Sequence, residues 1–228
     1  MPDIIAVIPA RAGSKRIPGK NYKNFCGKPI ITYPISVLEE IKIISRIIVS
    51  TDSPEIVQLL SSSSTTEIFE RSNHFAGDEI STLDAIKEYI KASQLKEDDL
   101  LLCTYPCTPM LNKALVEELI ETYDADIANF AILGARVDSR MARLLKKDGD
   151  GVASMILADF VNVKSQELPT LYQDAGQMYL GTVKNWISAT GILNSKVQIL
   201  EVDPTHSGDI DSEEDWEMAE KVFMERDI

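Results

Sequence analysis

Two rhythms of hydrophobic and polar positions alternate along this chain. One is the short unbroken apolar run, as in Asp3–Ile8 (DIIAVI), Arg46–Val49 (RIIV) and Leu100–Cys103 (LLLC). Such runs suit parallel strands covered on both faces. The other is the helical stripe. Leu83, Ile86 and Ile90 share a face over Thr82–Ala92, and Val116, Leu119, Ile120 and Tyr123 share one over Asn112–Tyr123. Ser53-Pro54-Glu55 supplies a cap, a first-turn proline and an early acid for another helix. Pro29 is placed to open a helix through Tyr33, Val37 and Ile41, with a fray or kink expected at Pro34. Ile68-Phe69 and Ile127–Leu133 read as further strands, and Ser61–Thr66 is a loop by composition. Strand and helix alternate, so the expected fold class is α/β, a mostly parallel sheet with helices on both faces.

The rhythm breaks between Val137 and Asp174. Long periodic runs are missing there, and Lys146–Gly151 (KKDGDG) reads as a hairpin-like turn. The expected layout is a single domain over residues 1–228 with a small lobe inserted at about 137–174. The core resumes with a strand at Gln177–Gly181, a short helix at Val183–Ala189 and a strand at Val197–Val202. A closing helix at Ser212–Met224 puts Trp216, Ala219, Val222 and Phe223 on one face.

Composition narrows the class. Hydrophobic residues make up 44% of the chain, too many for disorder and enough for a sizeable core. The formal net charge of −13 opposes what a duplex-binding surface needs, so no nucleic acid partner is expected. No apolar run approaches the length of a membrane span, and Met-Pro-Asp lacks the basic-then-apolar layout of a secretory leader. The expected setting is therefore cytoplasmic, with no membrane partner. Cys26, Cys103 and Cys107, with histidine at His74 and His206 alone, read as reduced thiols rather than a zinc site or a disulfide framework. Against this acidic background, Arg11–Lys28 holds six bases and no acid.

Three clusters carry candidate chemistry. Pro9–Asn21 (PARAGSKRIPGKN) follows the first strand, and ligands of open α/β sheets bind beyond the carboxyl ends of strands. Gly13 and Gly19 allow close backbone approach, and the loop amides with Arg11, Lys15 and Lys20 suit a triphosphate. The spacing is not that of a Walker loop, and an ordinary basic surface loop is the alternative. Asp209 and Asp211 point to one side of an extended segment and suit a hard metal that also takes phosphate oxygens. Alternatively, Asp211 prepares a helix start, where Ser212 and Asp215 resemble a capping box. Gln177 and Tyr179 alternate onto one side of a strand. They offer an amide and a phenol to sugar hydroxyls, or Tyr179 is a core residue.

Together these segments resemble the CMP-sugar-acid synthetase (acylneuraminate cytidylyltransferase) family, and most closely its pseudaminic acid branch. The likeness is carried by IPARAGSKRIPGKN (Ile8–Asn21), VSTDSPEI (Val49–Ile56), TYPCTPML (Thr104–Leu111), DAGQMYLG (Asp174–Gly181) and DIDSEEDW (Asp209–Trp216). It implies a Rossmann-like nucleotidyltransferase fold whose inserted lobe helps form a homodimer. It implies that Ala10, Arg11, Gly13 and Lys15, with Ser14 in the same loop, surround the phosphates of CTP. Lys20 would act at the reacting phosphate and Asn21 near the nucleoside. Arg71, Ser81 and Thr82 would read cytosine, Asp209 and Asp211 would hold Mg2+, and Gln177 and Tyr179 would lie in the sugar pocket.

The implied reaction joins CMP to a nine-carbon sugar acid and releases pyrophosphate. Lys20 is the expected catalytic group, and Asp211 is a candidate base if the metal does not fully engage it. Sialic acid synthetases commonly carry QPTSPLR where this chain has TYPCTPML, and Asn-Gly where it has Ala175-Gly176. Both departures count against sialic acid itself. Pseudaminic acid ends in a methyl group, and Met110, Leu111 and Met178 are the apolar candidates for that end of its pocket, with core as the alternative for Met178, which alternates away from Gln177. The same reaction on legionaminic, sialic or Kdo acid, and a non-catalytic nucleotide-binding regulator, stay open as alternatives.

Overall fold

A computed structural model of the chain describes residues 2–72, 80–203 and 210–226. β1 (Ile4–Pro9) is the spine of the fold. Along it Ile5 and Val7 face one layer while Ala6 and Ile8 face the other, all of them buried. That period-2 split explains the unbroken apolar run, because both faces are covered. β1 pairs in parallel with β4 (Ile44–Thr51) on one side and β6 (Leu100–Thr104) on the other. β4 in turn pairs in parallel with β5 (Thr66–Glu70). Beyond β6 lie β10 (Leu171–Thr182), β7 (Phe130–Val137) and β11 (Val197–Val202), giving seven strands in the order β11-β7-β10-β6-β1-β4-β5. β10 runs antiparallel to both neighbours, so the sheet is mixed.

Helices cover both faces. Ile31, Leu38, Ile56, Val116 and Leu119 pack α1 (Thr32–Glu39), α2 (Pro54–Leu60) and α4 (Lys113–Thr122) onto one face. Ile86, Tyr89 and Trp186 pack α3 (Thr82–Ala92) and α5 (Val183–Ser188) onto the other. A third cluster of Ile17, Phe25, Ile30, Tyr33, Cys107, Ile210 and Trp216 stands outside the sheet. It joins the loop after β1 to α6 (Glu213–Arg226), with the Phe25 and Trp216 rings edge-on at 5.4 Å.

Several boundaries differ from the sequence reading. Pro29 does not open a helix. Lys28–Pro29 forms β3, a two-residue strand against β2 (Asn24–Phe25). α1 starts at Thr32, which puts Pro34 at the third helical position, where a missing N–H breaks no intrahelical bond and needs no kink. β7 begins at Phe130 rather than Ile127. The amides of Ile127 and Ala128 both donate to Asp124 O in a tight turn, leaving Ile127 63% exposed. β10 begins at Leu171 rather than Gln177, because Leu171–Asp174 pairs with Val137–Gly134. Residues 138–170 between β7 and β10 hold β8 (Leu145–Lys147) and β9 (Ala153–Met155), paired antiparallel, and short 3-10 turns.

Candidate functional site

β1 is where the strand order reverses. The chain runs from β1 outward to β4 and β5, then returns to β6 on the other side. In open α/β sheets a crevice forms beyond the carboxyl ends of the strands at such a point. Here it is a cleft of about 680 Å3, lined by the loop after β1, the loop after β6, the start of α3, and Ile210 and Asp211. Of the residues the sequence singles out for nucleotide, Arg11, Gly13, Ser14, Lys15, Lys20, Asn21, Arg71, Ser81 and Thr82 all line it. Ala10 does not. It is fully buried and donates its amide to Ser50 O at 2.8 Å, so that N–H is already engaged.

The loop is held by cross-braces rather than by a regular element. Ala12 N–H donates to Asp52 Oδ1 at 2.7 Å, and Asn21 Nδ2 donates to the Arg11 carbonyl at 2.8 Å. The Cys107 thiol donates to Asn21 Oδ1 at 3.4 Å and so fixes which way that amide points. Gly19 sits at φ 65 before a short turn, Lys20–Tyr22, and a Cβ there would come within 2.8 Å of the Tyr22 ring. Glycine is therefore required at position 19 for both conformation and space.

Charge converges at one end of the cleft. Lys20 Nζ donates to Ile210 O at 2.8 Å and lies 3.3 Å from Asp211 Oδ1, which also pairs with Arg16 at 2.9 Å. Asp209 lies outside the described residues. Arg71 donates from Nε to Ser50 Oγ at 2.9 Å, and its amide donates to Thr51 O. Burial pulls the Arg71 guanidinium below its ordinary pKa, while Asp52 and Glu88 act the other way. Such a set of partly enclosed cations can neutralise a polyanion.

Ser81 and Thr82 do different work. Ser81 caps α3: its hydroxyl accepts from Asp84 N–H while the Asp84 carboxylate accepts from Ser81 N–H. Thr82 Oγ1 and the Tyr105 hydroxyl are 3.0 Å apart. This pair forms a rim, because Ser81, Thr82 and Tyr105 also line a second cleft of about 340 Å3. Leu83, Asp174, Tyr179 and residues 190–194 complete that second cleft, and Asp174 is the charged group among its lining residues. Tyr179 donates its phenol proton to Asp174 Oδ2 at 2.8 Å, and its ring meets Tyr105 edge-on at 5.8 Å. Burial pushes the Tyr179 phenol far above its ordinary pKa, with Tyr105 and Asp174 adding to the effect.

Other sequence candidates are elsewhere. Gln177 is buried and lines neither cleft; its carbonyl accepts from Tyr105 N–H and Thr104 Oγ1. Met110, Leu111 and Met178 are buried, the last two in the main core, and none faces either cleft. The sequence reading of Met110 and Leu111 as pocket lining is corrected by their burial, whereas Met178 takes the core position that its alternation away from Gln177 allows. Arg16, Tyr105, Cys107 and Asp174 were not singled out, although each stands inside a quoted motif. Residues 190–194 carried no signal.

Relatives of known kind share this framework. Residues 5–180 match the family described as Cytidylyltransferase. The chain is 28% identical over 221 residues to pseudaminic acid cytidylyltransferase of Campylobacter jejuni, spanning 96% of this chain and 95% of that protein. It is 26% identical over 224 residues to the CMP-N,N'-diacetyllegionaminic acid synthase of Legionella pneumophila, covering 96% of each. Among solved structures, a CMP:2-keto-3-deoxy-manno-octonic acid synthetase complexed with CTP superposes with a TM-score of 0.74 at 17% identity, over 99% of this chain and all of that one. This last likeness is one of fold.

Proposed function

The chain belongs to the cytidylyltransferase family, and from that premise we propose that it transfers CMP from CTP to the anomeric hydroxyl of a nine-carbon sugar acid, with pseudaminic acid as the acceptor. One observation carries this reading: a cationic cleft shares Ser81, Thr82 and Tyr105 with a cleft that has no base among its lining residues. The polyanionic donor belongs in the first. A 2-keto sugar acid carries its carboxylate on the anomeric carbon, so its reacting end faces the bases and its tail enters the second.

In the first cleft, the loop amides with Arg11, Lys15, Arg16 and Lys20 take the triphosphate, with Gly13 and Ser14 allowing close approach. Asn21, Arg71, Ser81 and Thr82 hold the nucleoside end. The acceptor oxygen attacks the α-phosphorus of CTP, the bond to the bridging oxygen breaks, and pyrophosphate leaves. Lys20 meets the charge that develops on the phosphates, a form of help that such transfers need more than covalent catalysis. Asp211 is the proposed base for the acceptor proton where a metal does not fully engage it. The family typically works with a divalent metal. Asp211 fits that use as a half-exposed carboxylate at the mouth of a phosphate-sized cleft, and Asp209 would join it. A bound Mg2+ would supply charge neutralisation at the phosphates.

Tyr179 reads the sugar from the second cleft, whereas Gln177 contributes through the backbone that seats Tyr105. Ile192 and Leu193 offer an apolar end to that cleft, which suits the terminal methyl of pseudaminic acid. We further propose a homodimer formed through residues 138–170. Leu144, Leu145, Val152, Ile156 and Val161 are each more than half exposed there, a patch that suits a partner subunit. Light scattering should give twice the chain mass, and Leu145→Lys should return the monomer.

The test of the reaction is pyrophosphate release from CTP across pseudaminic, N,N'-diacetyllegionaminic, sialic and Kdo acids, with and without a chelator. Pseudaminic acid should give the highest catalytic efficiency, and chelation should abolish release until magnesium is restored. CTP binding without release from any acid would favour a silent binding protein.

A further inference from the structure

Asp174 and Tyr179 are five residues apart on β10, so a regular strand would point them to opposite faces, about 16 Å apart. They are in hydrogen-bond contact instead. The register explains how. Five steps along β10, from Asp174 to Tyr179, face two steps along β7, from Gly134 to Ile132. The three extra residues form a bulge that reverses the parity of the strand and shortens the gap. Gly176 within it takes φ 63. Asp174 closes this bulge with both oxygens: Oδ1 accepts from Gly176 N–H at 3.0 Å, and Oδ2 accepts from the Tyr179 hydroxyl at 2.8 Å.

A phenol has one proton to give. Here it goes to a carboxylate oxygen of Asp174, and burial of the phenol keeps that proton in place. Tyr179 lines the second cleft, and with its proton engaged its hydroxyl can offer only oxygen lone pairs there. We propose that Asp174 is a positioning residue that fixes Tyr179 as a hydrogen-bond acceptor, so that the second cleft selects a hydroxyl or amide N–H on the sugar at that point over a carbonyl or ether. This role rests on the reading of the second cleft as the acceptor site.

Asp174→Asn separates polarity from architecture. The asparagine oxygen can still accept from Gly176 N–H, which keeps the bulge. Its amide now donates toward Tyr179, which turns the phenol proton into the cleft against a substrate donor. With pseudaminic acid as the probe, the acceptor KM should rise about tenfold while the CTP KM stays within roughly twofold. Tyr179→Phe should raise the acceptor KM comparably, and in that background Asp174→Asn should add less than about twofold, because its effect passes through the missing oxygen.

An unchanged acceptor KM in Asp174→Asn overturns the role, as does an equal rise in both KM values or an undiminished effect in the Tyr179→Phe background. Should Asp174→Asn fail to fold, Tyr179→Phe alone decides: an unchanged acceptor KM overturns the role. Wild-type protein that binds CTP yet releases no pyrophosphate with any acid overturns the acceptor reading itself, and this role with it. An active wild type with an unmoved Asp174→Asn variant leaves that reading standing.

Discussion

The two clefts that meet at Thr82 and Tyr105 are built by different means. The first is a loop rich in cations, pinned from several sides by Asp52, Asn21, Cys107 and Asp211. The second is carved by a bulge in one strand and completed by residues 190–194, with hydroxyls and apolar side chains rather than bases. In the proposed assignment a triphosphate, the same for every enzyme that uses CTP, would be met by charge, which tolerates some looseness. A sugar tail, which varies from acceptor to acceptor, would be met by directed hydrogen bonds and shape, which do not. The division predicts that damage to one cleft leaves the other's substrate nearly untouched.

The largest effects are expected in the first cleft. Lys20→Ala and Asp211→Asn should each lower kcat by about 10²–10³-fold, the scale of removing a preorganised group from a developing charge. Circular dichroism should show an unaltered fold, because both side chains are at least partly solvent-exposed. A kcat near wild type at saturating CTP and magnesium would break the assignment.

Next is the support beneath the loop. Trp216 is 3% exposed, its ring meets Phe25 edge-on, and the Lys23 ammonium lies 4.6 Å over it. Trp216→Ala should cost about 3–5 kcal/mol, measured by urea unfolding. Because Ile210 packs in the same cluster and Asp211 follows it, CTP affinity should fall with it, whereas acceptor KM should not. A loss confined to acceptor KM would mean that α6 serves the other cleft.

The smallest effect is at the start of α6. Ser212 Oγ accepts from Asp215 N–H, and Asp215 is held below its ordinary pKa, first by the Ser212 hydroxyl and then by the Asp211 amide. A depressed folded pKa means that this stabilisation is complete above the ordinary carboxylate value of about 3.9 and drains away as pH falls through the lower folded value. Ser212→Ala should cost about 1 kcal/mol at neutral pH and less in acid. Unfolding midpoints compared at pH 6 and pH 3 check this, and a constant difference would contradict it.

The same contrast explains what was legible in the sequence. Charge is carried by residue type, so the first cleft could be read from Arg11, Lys15, Lys20 and Asp211 before any geometry was known. A helix boundary was legible where its cap reads as chemistry, at Ser53, whereas the sequence reading passes over the caps at Ser81 and Asn112 and begins the second of these helices one residue early. The second cleft was not, because it depends on register. Nothing local announces that three extra residues follow Asp174, or that residues 190–194 pack opposite Tyr179. Met110 misled for a related reason: an apolar residue beside a site reads alike whether it faces ligand or core. Pro29 misled because a first-turn proline and a strand proline look the same until its hydrogen-bonding neighbours are known.

The most direct test of the division is initial-rate kinetics with CTP and pseudaminic acid both varied, on wild type, Arg71→Ala and Tyr179→Phe. Arg71 braces the first cleft from Ser50, so its loss should raise the CTP KM by about tenfold or more with the acceptor KM nearly unchanged. Tyr179→Phe should do the reverse. Swapped patterns, or both variants raising both constants equally, would contradict the assignment of donor to one cleft and acceptor to the other.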